Sequence, residues 1–275
     1  MLQSAGKFDF VDAAAQGYRF TWDKRAVLVQ LAIIPFLIKT ILFFVIIALD
    51  VQDNYLRSGL ILLPSYAAEG WLVAQAIRLA MMLQPQYFSH RPALNASSES
   101  PVAYRRTLLA AVIIYALIKL FSAFLAGMIG TLENMSAADQ PPVPVQIHPA
   151  YGFFIAAAGL AGMIWAFRYV WLYVPVAMGY SLREFLLKIR HFMLSFYMIS
   201  LWLLCFIPMV LLLLVVSEVF LGVFPMISET QHSSGFTYAM VFVQSISEIL
   251  IAVVSSVAMA YAVQSIMSPK TNMSI

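Results

Sequence analysis

Charge is scarce in this sequence. Only 11% of its 275 residues are Asp, Glu, Lys or Arg, against 62% hydrophobic. A soluble domain carries about 25% charged and about 45–50% apolar residues. The shortage excludes a water-dispersed globule of this size and points to a bilayer as the outer solvent. Cysteine is nearly absent as well. Cys205 stands alone in an apolar run, which excludes an intrachain disulfide and a multi-cysteine metal site and reads as a small core residue. The loops that cradle phosphates and dinucleotides, the nucleophile elbow and the His-Glu-x-x-His zinc motif are missing. His90, His148, His191 and His232 fall in four different loops and cannot converge on one metal. No metal, no cofactor and no enzymatic activity are therefore expected. A net charge of +3 is too small to suggest a nucleic-acid partner. Residues 1–25 also lack an apolar core, being interrupted by Lys7, Asp9, Asp12, Arg19, Asp23, Lys24 and Arg25. No cleavable signal peptide is expected, and the first span is expected to stay in the membrane.

What the chain does have is long apolar runs. Phe192 to Ser217 carries no charge and exceeds the ~20 residues that a spanning helix needs. Six such spans are read at about 26–49, 59–83, 107–132, 151–176, 192–216 and 239–265. The expected fold is all-α: a polytopic membrane protein with six transmembrane helices in three hairpins and short cytoplasmic elbow helices at the interface. Residues 1–25 form a cytoplasmic amphipathic segment, 26–265 the membrane domain and 266–275 a cytoplasmic tail. Pro35, Pro64, Pro175 and Pro208 each predict a kink or a helix end.

The loops orient the spans. Lys7, Arg19, Lys24, Arg25, Arg91, Arg105, Arg106, Arg183, Lys188, Arg190 and Lys270 fall on one side. The other side holds Arg57, with Asp50, Asp53, Glu133, Asp139, Glu218 and Glu229 there or at its edge. The positive-inside rule puts both termini in the cytoplasm. The longest outer loop, 133–150, contains Pro141, Pro142, Pro144 and Pro149. It reads as a stiff, partly polyproline-II spacer or a partner-binding strap. The cytoplasmic stretch 95–101 reads as a turn region.

Two cytoplasmic segments have helical apolar spacing. Phe8, Val11, Ala15, Tyr18 and Trp22 form the apolar stripe of the first, with Asp9, Asp12, Gln16 and Arg19 opposite. Ser181-Leu-Arg-Glu184 is a capping box opening the second. Leu182, Phe185, Leu186 and Ile189 supply its apolar face, and Arg183, Lys188 and Arg190 are placed at the lipid headgroups. Membrane lipids are thus one expected partner. A repeat is also legible: Ile33-Ile34-x-x-Leu37-Ile38-Lys39 recurs 80 residues on as Ile113-Ile114-x-x-Leu117-Ile118-Lys119. The elbows Gly17–Arg25, Tyr104–Arg106 and Ser181–His191, joined to apolar hairpins, resemble bacterial six-helix inner-membrane proteins of the YciC-like type. The resemblance covers most of the chain, is architectural, and carries over no site or activity.

The informative residues are charges inside spans: Lys39, Glu69, Arg78, Lys119, Arg168 and Glu248. Such charges are costly and face a bundle interior or a pathway. Counting ~1.5 Å per residue puts Lys39, Lys119 and Glu69 each roughly 21 Å from the cytoplasmic helix ends, and Glu248 within reach of that level. Two lysines and two glutamates are thus expected in one layer, either as structural ion pairs or as a polar binding site. Arg78 and Arg168 lie nearer the cytoplasm, where their stems would let them snorkel to the headgroups. Ala158, Gly162 and Ala166 in span four, and Ala252, Ser256 and Ala260 in span six, read as close-packing faces.

Two functions fit these features. One is a non-enzymatic scaffold or accessory factor for a membrane complex or envelope process, with a membrane-protein partner or a second copy. The other is a small permease or lipid-handling protein that uses the Lys/Glu layer.

Overall fold

Pro64, Pro175 and Gly179 mark breaks between helices, whereas Pro35 and Pro208 lie inside continuous ones. The computed structural model describes residues 9–52, 54–84, 87–88, 101–137, 149–223 and 234–267. All the elements among them are helical. The turn region 95–100, the proline-rich stretch 138–148, Lys7, Arg91, Glu229 and the 268–275 tail with Lys270 lie outside the described residues.

Helix α1 (Phe10–Asp23) opens where the Asp9 carboxylate accepts the amides of Val11 and Asp12 at 2.9 and 3.1 Å, which satisfies two otherwise orphaned donors. It turns at Lys24 into α2 (Arg25–Ala48), which runs through Pro35 without interruption. Asp50, at φ 50°, makes the left-handed turn that follows, a conformation that short polar Asp tolerates. The second expected span is broken. Helices α3 (Tyr55–Ile61) and α4 (Leu63–Leu83) meet at Leu62 with a 58° bend. Pro64 sits in the first turn of α4, where its missing N–H costs nothing.

Helix α5 (Pro101–Ala137) is continuous. The fourth expected span is not a single helix either. Helix α6 (Pro149–Ala166) passes into a 3₁₀ turn over Phe167–Trp171 and then α7 (Tyr173–Ala177). Pro175 has no N–H to offer the Trp171 carbonyl, and the tighter turn falls where that bond is lost. Gly179, at φ 85°, ends α7. The amides of Tyr180 and Gly179 reach back to the carbonyls of Pro175 and Val176 at 2.8 and 2.9 Å, a Schellman closure. Helices α8 (Leu182–Lys188), α9 (Phe192–Val223, through Pro208) and α10 (Ser234–Met267) complete the order.

Among the described residues five helical stretches are long and apolar enough to cross a membrane, and the bent α3–α4 pair makes a sixth if it counts as one span. The bundle is built around α10 and α4. In its most apolar window α10 is 72% buried, against 11% for α9 and 22% for α2. Helix α10 packs against α1, α9, α4 and α2, while α4 packs against α5, α10 and α2. Helix α6 lies at the edge, against α9 and the 3₁₀ turn.

Small residues set the closest crossings. A Cβ on Gly17 of α1 would stand 2.7 Å from the Ala258 Cβ of α10 and 2.9 Å from the Val254 carbonyl. The expected α10 face is used: Ala252, Ser256 and Ala260 are all buried. The expected α6 face is not, since Gly162 faces open space and Ala158 and Ala166 are exposed. Helix α1 packs by a different face from its apolar stripe. Its packing face is Ala13, Ala14, Gln16, Gly17 and Phe20, whereas Val11, Ala15 and Trp22 are exposed. Small residues on that face let the two helix backbones approach closely.

Candidate functional site

The four charges expected in one layer come together where α2, α4, α5 and α10 meet. Lys39 of α2 lies at the centre. Its Nζ is 2.8 Å from Oε2 of Glu69 on α4 and 2.5 Å from Oε2 of Glu248 on α10. The other carboxylate oxygen of Glu69 is 3.4 Å from Nζ of Lys119 on α5 and accepts the hydroxyl of Tyr115. Lys39 and Glu69 are each 1% exposed, whereas Glu248 and Lys119 are each 36% exposed. The result is an alternating row, Glu248–Lys39–Glu69–Lys119, sealed in the middle and reaching the bundle surface at both ends. Two cations face two anions, so the row is neutral as a whole.

Residues not singled out in the sequence complete the row. Tyr115 lies one turn before Lys119, and its ring is 5.7 Å from the ammonium. Gly70 makes room for that ring, because a Cβ there would be 3.1 Å from the Tyr115 side chain. Tyr173 of α7 stands edge-on to Tyr115 at 5.0 Å and bonds Ser256 of α10 at 2.8 Å. Gln244, one turn before Glu248, donates to it at 2.9 Å. The i, i+4 spacing of Tyr115 to Lys119 and of Gln244 to Glu248 was the available signal. On α2, α4 and α10, the buried hydroxyls of Thr40, Ser65 and Ser245 have no hydrogen-bond partner among the described residues.

Neither intramembrane arginine snorkels. Arg78 is buried, donates from Nε to the carbonyl of Ala177 at 3.2 Å and to Thr107, and lies 4.1 Å from the Tyr104 ring. Arg168 is buried, donates to the carbonyl of Ile189 at 2.5 Å, and lies 4.2 Å from the Trp165 ring. Ala177 is the last residue of α7, and Ile189 is the C-cap that follows α8. Each arginine therefore neutralises a helix C-terminus whose last carbonyls have no intrahelical donor. That local demand holds the side chains inward.

Lys188 does the same at the end of α10. Its Nζ donates to the carbonyls of Met267 and Ile266 at 2.7 and 3.4 Å, so it is tied to protein rather than held for headgroups. Arg183 and Arg190 are exposed. Phe185 and Ile189 are buried, while Leu186 is exposed. The expected capping box is incomplete, because the Ser181 side chain makes no capping bond. Among the described residues no three His, Cys, Asp or Glu side chains are grouped so as to hold a metal.

No family model, curated protein or solved structure matches the chain.

The chemistry of the row follows from its geometry alone. A charge at this depth costs ~2.5–3.5 kcal/mol even on the lenient insertion scale. Pairing relieves that cost, and removing one partner of a buried pair costs about 3–5 kcal/mol. The row ties four helices that are far apart in sequence to a single level.

Proposed function

We propose that this chain is a non-enzymatic, six-span protein of a bacterial inner membrane, with both termini cytoplasmic, that serves as a scaffold or accessory factor for a membrane complex or envelope process. The observation that carries this reading is the closed state of the Lys39–Glu69 pair. The two groups satisfy each other, and among the described residues neither lines the groove of α2 with α10 or the hollow at Phe44 and Phe242. A permease using the same charges needs a polar space reaching them.

Mild solubilisation of the tagged full chain from its native membrane tests the proposal. The expected result is a membrane-protein partner, or a second copy, in fixed ratio. Reconstitution into liposomes supplies the opposing outcome. A solute flux that is abolished by Lys39→Met in a correctly folded protein would establish the permease instead.

A further inference from the structure

A groove of about 360 Å³ runs between α2 and α10 and is open at the side. Its floor and walls are apolar, from Leu28 to Phe36 on α2 and at Ile246, Leu250 and Val253 on α10. Its polar lining residues are Thr21 of α1 and Arg25, which opens α2 at one end. Arg25 is exposed and makes no ion pair among the described residues. It donates to the Trp22 carbonyl at 3.0 Å and lies 5.0 Å from the Trp22 ring. These contacts hold the guanidinium at the mouth while leaving most of its five donors unused.

The dimensions choose the occupant. From Arg25 to Phe36 the groove follows α2 for roughly 16 Å at ~1.5 Å per residue. Half of a ~30 Å hydrocarbon core is about the same length. A partner helix with its side chains is about 10–12 Å across, too wide for the space. An acyl chain is narrow enough, and a guanidinium fork suits a phosphate.

We propose that this groove binds one anionic phospholipid of the leaflet in which α2 begins. One acyl chain lies along α2 and α10, and the phosphate sits on Arg25. The site is separate from the Lys/Glu row. It depends on the chain being in a bilayer and not on its accessory role, so the partner experiment above can fail without touching it.

Native mass spectrometry of the purified full chain in neutral detergent, titrated with phosphatidylglycerol or phosphatidylcholine, tests the site. The wild type is expected to retain one equivalent, with phosphatidylglycerol preferred. Ile246 is 55% exposed, so Ile246→Trp fills the groove from outside and should abolish retention at an unchanged melting temperature. Ala32→Phe blocks it from the α2 side and serves as the second variant. Arg25→Gln should weaken binding about fivefold and erase the preference, as expected for one basic group at an anionic headgroup. Several equivalents lost together on dilution would mean annular lipid only and would overturn the proposal. Unchanged retention in both blocking variants would overturn it too, as would displacement by Ile246→Trp of a co-purifying protein segment.

Discussion

Lys39 and Glu69 hold the middle of the charge row, Lys39 touching both carboxylates and Glu69 both ammonium groups, with the shorter contacts made by Lys39. Lys39→Met leaves Glu69 and Glu248 facing each other without their shared cation. It should be the most damaging single change, at about 3–5 kcal/mol of stability, read as a fall in apparent Tm in detergent. Glu69→Gln should come next, since Lys39 keeps Glu248. Lys119→Met should be mildest, because its contact is the longest and its head is partly exposed. Thr40→Val and Ser65→Ala probe the surroundings of the row. Their hydroxyls are buried without a partner, and removing such a group costs little or even stabilises. Their Tm should hold or rise; a fall of several degrees in either would mean that the layer is hydrated. The four charges were legible in the sequence, because an ionised group in an apolar helix stands out and its depth follows from counting. Tyr115 and Gln244 were not, being unremarkable in any membrane helix until their neighbours one turn away are known to be paired.

At the scale of elements, two close fits can be broken separately. Gly17→Leu on α1 drives a side chain into Ala258, and overpacking of this kind costs about 1–3 kcal/mol. Gly162→Leu on α6 meets open space and should leave Tm unchanged. Both are checked in one thermal-shift series. A similar contrast holds for the basic elbow. Lys188→Met removes the donor to the end of α10 and should lower Tm, while Arg183→Gln and Arg190→Gln, at exposed positions, should not. The long apolar helices were readable because their runs exceed what any soluble element needs. The inward turn of Arg78 and Arg168 was not readable. It depends on where α7 and α8 end, which Pro175, Gly179 and the short 3₁₀ turn settle in three dimensions. The contact of α1 with α10 was not readable either, since hydrophobic spacing finds large residues and the closest approach there is made by Gly17 and Ala258.

For the whole molecule, the charge segregation of the loops predicts six crossings with both ends inside. In a Cys205→Ser background, Asp139→Cys and Gln231→Cys should react with an impermeant thiol reagent on intact cells, while Ser97→Cys and Asn272→Cys should not. Labelling of Ser97→Cys from outside would overturn that topology. If the buried charges lock the bundle as a closed unit, a double-mutant cycle between Lys39 and Glu69 on thermal unfolding of the full chain will show it. Lys39→Met with Glu69→Gln should lose less stability than the two single losses added together, by about 0.5–3 kcal/mol. Additive losses would contradict it, for they would mean that the two side chains contribute independently and that the row is not a lock.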